Sequence, residues 1–163
     1  MAKETKTNAM RKLDTLHISY TEHQYDASDG HIDGVAVAAK CGLDPDQVFK
    51  TLVTEGHSRN YYVFLVPVSC DLDLKKAAKS VGEKSVEMIK LKDLLPLTGY
   101  VHGGCSPIGM KKPFKTTIDE TAELYDKIIF SGGKIGYQVE ISLSELKKAI
   151  DFQLADIVST SVA

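Results

Sequence analysis

Residues 48–68 read VFKTLVTEGHSRNYYVFLVPV: two runs rich in β-branched and aromatic residues, Val48 to Thr54 and Tyr61 to Val68, flank a polar stretch around Gly56. Such residues favour a pleated, half-buried backbone, and two runs this close together predict adjacent strands joined as a hairpin. Pro67 has no N–H for a ladder, which places the end of the second run at an edge. Lys50 interrupts the first run, and period-two alternation sets it on the same face as Val48 and Leu52. That leaves two readings: a solvated lysine on an outer face, or an ammonium lining a wet pocket, since a buried, unpaired charge is costly.

Upstream of the hairpin, Thr7 can cap a helix whose Met10, Leu13 and Leu16 form one apolar stripe. Ile18 to Tyr25 then reads as a strand, followed by turn residues Asp26, Ser28, Asp29 and Gly30. Asp33 precedes a small apolar run, Val35 to Ala39, expected to form a short buried helix that Gly42 can terminate in a left-handed conformation. Downstream, Asp71 or Asp73 opens a helix carrying Leu74, Ala77, Ala78 and Val81, stopped by Gly82. Val86 to Ile89 reads as a strand, Leu91 to Leu95 as one helical turn ended by Pro96, and Tyr100-Val101 as a strand. Thr116 to Ile118, Ile128 to Phe130 and Tyr137 to Ile141 supply further strands, with Asp119 capping a helical turn between the first two. Ser142 and Glu145 form a capping box, predicting a final helix through Leu143, Leu146, Ile150 and Leu154 before a tail expected to fray. Strands and helices that do not alternate regularly predict an α+β fold: a mixed, strongly curved sheet of six to seven strands forming a partly closed barrel, surrounded by four to five helices.

The 163 residues, 43% hydrophobic and 26% charged, fit one domain, with a core expected over about 7–150. No apolar run reaches the length of a membrane-spanning helix, and the polar start lacks the apolar stretch of a secretory signal, so a cytoplasmic location is expected. Cys41, Cys70 and Cys105 include no C-x-x-C pair, and the five histidines lack the i, i+4 spacing of metal ligands, so neither disulfide nor metal nor other cofactor is expected. The net charge of −2 hides an asymmetry: residues 75–115 hold nine lysines against three acids, leaving −8 for the rest. Those lysines are either solvated surface or a phosphate-facing patch.

The segment Gly99 to Gly109 contains four glycines, enough backbone freedom to turn N–H groups toward a ligand, or simply a tight connection. Ser131-Gly132-Gly133 poses the same choice. Cys105 or Ser106 could be a nucleophile only beside a positioned base, and His102, three residues from Cys105, need not face it.

Taken in order, Lys50-Thr51-Leu52, Leu74-Lys75-Lys76-Ala77-Ala78-Lys79, Val86-Glu87-Met88, Thr98-Gly99-Tyr100-Val101, Gly103-Gly104-Cys105-Ser106-Pro107-Ile108-Gly109 and Ser131-Gly132-Gly133 resemble the YbaK family. These are bacterial Cys-tRNA(Pro) deacylases related to the editing domain inserted in prolyl-tRNA synthetases, and the resemblance runs from about Thr7 to Ile150. It implies a trans-editing enzyme of translation fidelity. Lys50 would be its essential pocket lysine and the Gly103-Gly104 loop would supply backbone contacts. Tyr25, Thr51, Ser106, Ser131 and Gly132 would bind substrate, and Lys75, Lys76, Lys79, Lys111 and Lys112 would contact tRNA. The chain departs from the family pattern where His102 replaces a frequent arginine and Ile135 follows Lys134 in place of a second basic residue.

The implied mechanism uses no protein nucleophile: the thiol of the bound cysteinyl group attacks its own ester carbonyl and releases tRNA and a cyclic product. Backbone amides at Gly103 and Gly104 would stabilise the oxyanion. Implied partners are mischarged tRNA(Pro) and prolyl-tRNA synthetase. Competing readings are a deacylase for another small aminoacyl-tRNA such as Ala-tRNA, a non-catalytic tRNA- or synthetase-binding adaptor, and a cysteine-nucleophile hydrolase.

Overall fold

A computed structural model of the chain describes residues 6–159. The hairpin at 48–68 forms as expected: β2 (Phe49–Gly56) and β3 (Tyr61–Pro67) pair antiparallel with Phe49 opposite Pro67 and Lys50 opposite Val66. Gly56 accepts the turn, its N–H donating to the Asn60 carbonyl.

β3 lies at the centre of its sheet rather than at an edge. β5 (Lys115–Asp119) pairs with it in parallel, β8 (Gln153–Ala155) adds in parallel outside β5, and β4 (Val86–Met88) borders β2, giving the order β4-β2-β3-β5-β8. Pro67 is tolerated because it is the last residue of its strand. A second sheet has the order β1-β7-β6, from Thr21–Gln24, Tyr137–Ile141 and Ile128–Ser131. One parallel bridge, Val48 with Ile129, joins the two. The α+β class therefore holds, but hydrogen bonding runs through eight strands in two sheets and not one sheet closing on itself.

Alternation along β3 decides the layering. Val63 and Leu65 face the main core with α1 (Asn8–Thr15), Ile118, Phe130, Val139 and Leu146. Tyr62, Phe64 and Val66 face a second cluster under α3 (Leu74–Val81) with Ala77, Ala78 and Ile157. Both faces are covered, which is why the run is apolar throughout.

Four helices are capped by side chains: Thr7 and Ser142 as expected, Asp73 rather than Asp71, and Asp33, which was not anticipated as a cap. Thr7, Asp33, Asp73 and Ser142 each accept an amide of the first turn of α1, α2 (Gly34–Lys40), α3 and α5 (Leu143–Leu146). Asp119 caps the 3-10 turn Glu120–Leu124, and Gly42 and Gly82 take positive φ beyond α2 and at the end of α3.

Three local expectations fail. The helix beginning at Leu91, α4 (Leu91–Thr98), continues past Pro96 and ends at left-handed Gly99. Proline there forfeits the bond to the Lys92 carbonyl and crowds it, but only two residues of helix follow, so little helix is disturbed. Tyr100-Val101 is irregular, because the Tyr100 N–H is taken by Thr98 Oγ1 and its hydroxyl by the Ile108 carbonyl. The final helix stops at Leu146, and the segment expected to continue it and then fray instead adds β8, buries Ile157 completely and bridges Val158 to Leu72. Residues 160–163 lie outside the described residues. Among the described residues no helix is long and apolar enough to cross a membrane.

Candidate active site

Val48, Lys50 and Leu52 share one face of β2. Val48 is buried in a small cluster with Ala38, Val68 and Ile129, while Leu52 packs against the cluster under α3. Lys50 falls between them and lines a cavity of about 360 Å³. Its side chain is 34% exposed and its Nζ is 3.9 Å from the highly exposed Asp71 carboxylate, a long contact that leaves the ammonium free for another anion. The two readings of Lys50 resolve in favour of the pocket: half-buried, with one weak partner.

The smaller sheet supplies the opposite wall. His23 pairs with Gln138 and Ser131 with Gln138, so Gln138 and Ser131 point to one face, and Tyr25, just past β1 and held by its N–H on the Gly136 carbonyl, joins them. All three line the cavity with Thr51 and Gly103. Tyr25 OH, Thr51 Oγ1 and Gln138 Oε1 are buried without a hydrogen-bond partner among the described residues. Buried polar atoms are nearly always satisfied, so three orphans around one cavity mark a surface built for a polar ligand. Ser131 Oγ accepts the Gly133 N–H at 3.2 Å and retains its own proton to donate. Gln138 was not anticipated from sequence. The alternation of Tyr137 to Ile141 does place it opposite the core-facing Val139, but only strand pairing turns it into a cavity wall.

The glycine loop contributes unequally. Gly103, at φ +86°, lines the cavity, and a Cβ there would meet Ile32 Cδ1 at 3.0 Å. Gly104 does not line it: its N–H donates to the Val101 carbonyl at 3.0 Å, and a Cβ would sit 3.0 Å from the Ile135 nitrogen. Gly104 thus turns its N–H to the loop itself and allows two loops to pack closely, while the amides of Gly103 and Cys105 donate to no acceptor among the described residues. Ser106 and Gly132 also lie off the cavity. Ser106 is fully buried and accepts the Ile108 N–H, and Gly132 sits against Met10 and gives its carbonyl to Thr7.

Cys105 lines the cavity but is 7% exposed, and burial pushes its thiol up to about 12. The nucleophilic form is the thiolate, so at neutral pH this group is inert. Among the described residues no group of three His, Cys, Asp or Glu side chains converges as a metal site would require.

The lysine-rich stretch does not act as one patch. Lys76 is held by Asp156 at 3.0 Å and by the Val158 carbonyl, and Lys111 reaches the Pro96 carbonyl. Lys75 and Lys79 are exposed on α3, while Lys112 lines a different cavity.

Strands of both sheets thus surround a small cavity lined by unpartnered polar atoms, with the Lys50 ammonium at its edge and a buried cysteine thiol in its wall. The family model described as the aminoacyl-tRNA editing domain matches residues 33–149, and the chain belongs to that family. A protein of Enterococcus faecalis named "Putative Cys-tRNA(Pro)/Cys-tRNA(Cys) deacylase EbsC" is 43% identical over 156 residues, covering 96% of this chain and 95% of its own. The crystal structure of "a putative trans-editing enzyme for prolyl tRNA synthetase" superposes with a TM-score of 0.81 at 26% identity, over 93% of this chain and 95% of that one. A hypothetical protein, APE2540, shares the fold at a TM-score of 0.80 and 18% identity, over 93% and 99% of the two chains.

Proposed function

We propose that this chain deacylates cysteinyl-tRNA, chiefly Cys-tRNA(Pro), in the Lys50 cavity. The observation that carries the reading is the set of three unpartnered polar atoms, Tyr25 OH, Thr51 Oγ1 and Gln138 Oε1, facing one cavity of small-ligand size beside a half-free ammonium. The family, and the name of the 43% identical relative, support the substrate class. A synthetase pocket shaped for proline excludes cysteine only by a small difference in an apolar site, worth about 10 to 200-fold, and a second hydrolytic site supplies the rest.

In this reading Lys50 anchors a phosphate or the ribose of the terminal adenosine, and Gln138 Oε1 accepts a hydrogen bond from the aminoacyl ammonium. The substrate thiol attacks its own carbonyl: a carbon–sulfur bond forms, the ester carbon–oxygen bond breaks, and the thiol proton passes to the leaving ribose oxygen. The amides of Gly103 and Cys105 hold the developing oxyanion, an effect of about 3 kcal/mol per donor in comparable sites. Lys75 and Lys79, free on α3, contribute outlying tRNA contacts. Prolyl-tRNA synthetase delivers the mischarged tRNA, and the cytosol is the compartment.

The test is cysteine release from Cys-tRNA(Pro), with Cys-tRNA(Cys), Ala-tRNA(Pro) and Pro-tRNA(Pro) in parallel, by wild type and by Lys50→Ala. Selective release of cysteine, at least 100-fold slower in the variant, is expected. Faster release of alanine overturns the cysteine assignment, and absence of release from every substrate overturns the enzyme.

A further inference from the structure

A larger cavity, of about 790 Å³, lies on the other stretch of the glycine loop. Gly103 and Cys105 line the Lys50 pocket, whereas Pro107 and Gly109 line this one. Four lysines from separate parts of the chain surround it: Lys12 on α1, Lys112 before β5, Lys115 at its start and Lys147 just after α5. Asp151 is the one acid among its lining residues. In a chain of net charge −2, that concentration of positive charge on one concavity is local and marked.

The rest of the lining is mainly apolar and partly aromatic, with the polar Thr116 and Gln153 among it. Phe114 and Phe152 are partly buried there, and Lys147 Nζ lies 4.6 Å from the centre of the Phe152 ring while donating to the Phe152 carbonyl. The Lys12, Lys112 and Lys115 side chains are exposed and no acceptor is recorded for their ammonium groups among the described residues. Exposed ammonium groups around aromatic rings suit a ligand with anionic links and flat faces, which is the chemistry of a nucleic-acid strand. With Lys147 over the Phe152 ring and Phe114 packed edge-on against Tyr61, the exposed lysines carry the recognition, and the repeated charge of a phosphate backbone suits lysines spread around one concavity.

We infer that this cavity is a second RNA site, taking phosphates and one base of the substrate tRNA at a distance from the ester held beside Lys50. The inference rests on the deacylase reading for the identity of the RNA, and on the cavity alone for the binding. The arrangement ties recognition to chemistry mechanically, because one loop, pinned across its span by the Tyr100 hydroxyl on the Ile108 carbonyl, walls both cavities.

The experiment measures binding of uncharged tRNA(Pro) over a range of salt by the full chain, by Lys12→Ala/Lys115→Ala, and by Lys84→Ala/Lys127→Ala, which removes equal charge at exposed positions off both cavities. A tenfold or greater loss of affinity is expected for the first variant alone, with the slope of log affinity against log salt reduced by about 2. Circular dichroism confirms that each variant is folded. Equal losses in the two variants, or none in the first, overturn the site; so does capture of prolyl-tRNA synthetase, in place of tRNA, that depends on Lys12 and Lys115. Cysteine release by the wild type separates the two proposals. No release with cavity-dependent tRNA binding overturns the deacylase alone, and release with cavity-independent binding overturns the RNA site alone.

Discussion

Gln138 is 6% exposed and its Oε1 has no partner among the described residues, a state that costs the folded protein about 1 to 3 kcal/mol. On the proposed function, that stability is given up for ligand binding. Gln138→Leu is therefore expected to raise Tm by about 3 °C while lowering cysteine release at least tenfold, read by thermal unfolding and by the deacylation assay. A drop in both would make Gln138 a packing residue only. Cys105 makes the opposite case. With its thiol pushed up to about 12 by burial, it should resist iodoacetamide in the native protein at pH 8, and Cys105→Ala should keep most activity while losing about 1 kcal/mol of stability. An inactive, folded Cys105→Ala would sink the substrate-thiol mechanism. Neither assignment was complete in the sequence: Cys105 was visible as a weak nucleophile candidate, but its burial was not, and Gln138 carried no motif at all.

Local elements were far more legible. A helix cap involves residues two or three apart, so Thr7 and Ser142 could be read without tertiary information, as could Asp73 as one of two candidates, and each bonds as a cap. The junction between α3 and the β2–β3 turn shows what lay beyond that reach. Glu83, just after α3, accepts from the Ser58 N–H at 3.1 Å, the Ser58 hydroxyl and the Tyr62 hydroxyl, and its side chain lies over Gly56. The Ser58 bonds first, then Tyr62, hold its carboxyl below the ordinary 4.5. A depressed carboxylate pKa means that the unfolded chain binds the proton more tightly, so this contribution is complete above about pH 4.5 and is lost as pH falls through the lower folded value. Glu83→Gln is expected to lower stability at pH 7 to 8 and to converge with the wild type as pH falls below that value, which flattens the acid limb of the stability curve, measured by urea unfolding across pH.

The segment from Gln153 to Val158 ties the larger sheet and α3 together. Ile157 is fully buried under α3 and its N–H donates to the buried Asp119, while Gln153 bonds the Thr117 hydroxyl and the Ser80 carbonyl. Ending the chain after Asp151 removes β8, uncovers the β5 edge and strands the Asp119 carboxylate, and is expected to cost about 4 kcal/mol, or roughly 10 °C in Tm. An unchanged Tm would restore the frayed tail that the small residues suggested. By itself the sequence determined the helix starts, the central hairpin, the α+β class and, through the order of its motifs, the family, because each of these depends on neighbours or on short patterns. Tertiary structure alone decided that β3 is central, that eight strands divide into two sheets, that Gly103 and not Gly104 faces the cavity, and that Lys50, Thr51, Tyr25, Ser131 and Gln138 surround it. Those outcomes follow from pairing between strands far apart in the chain, where register sets which side chains share a face, and no local pattern encodes that partnership.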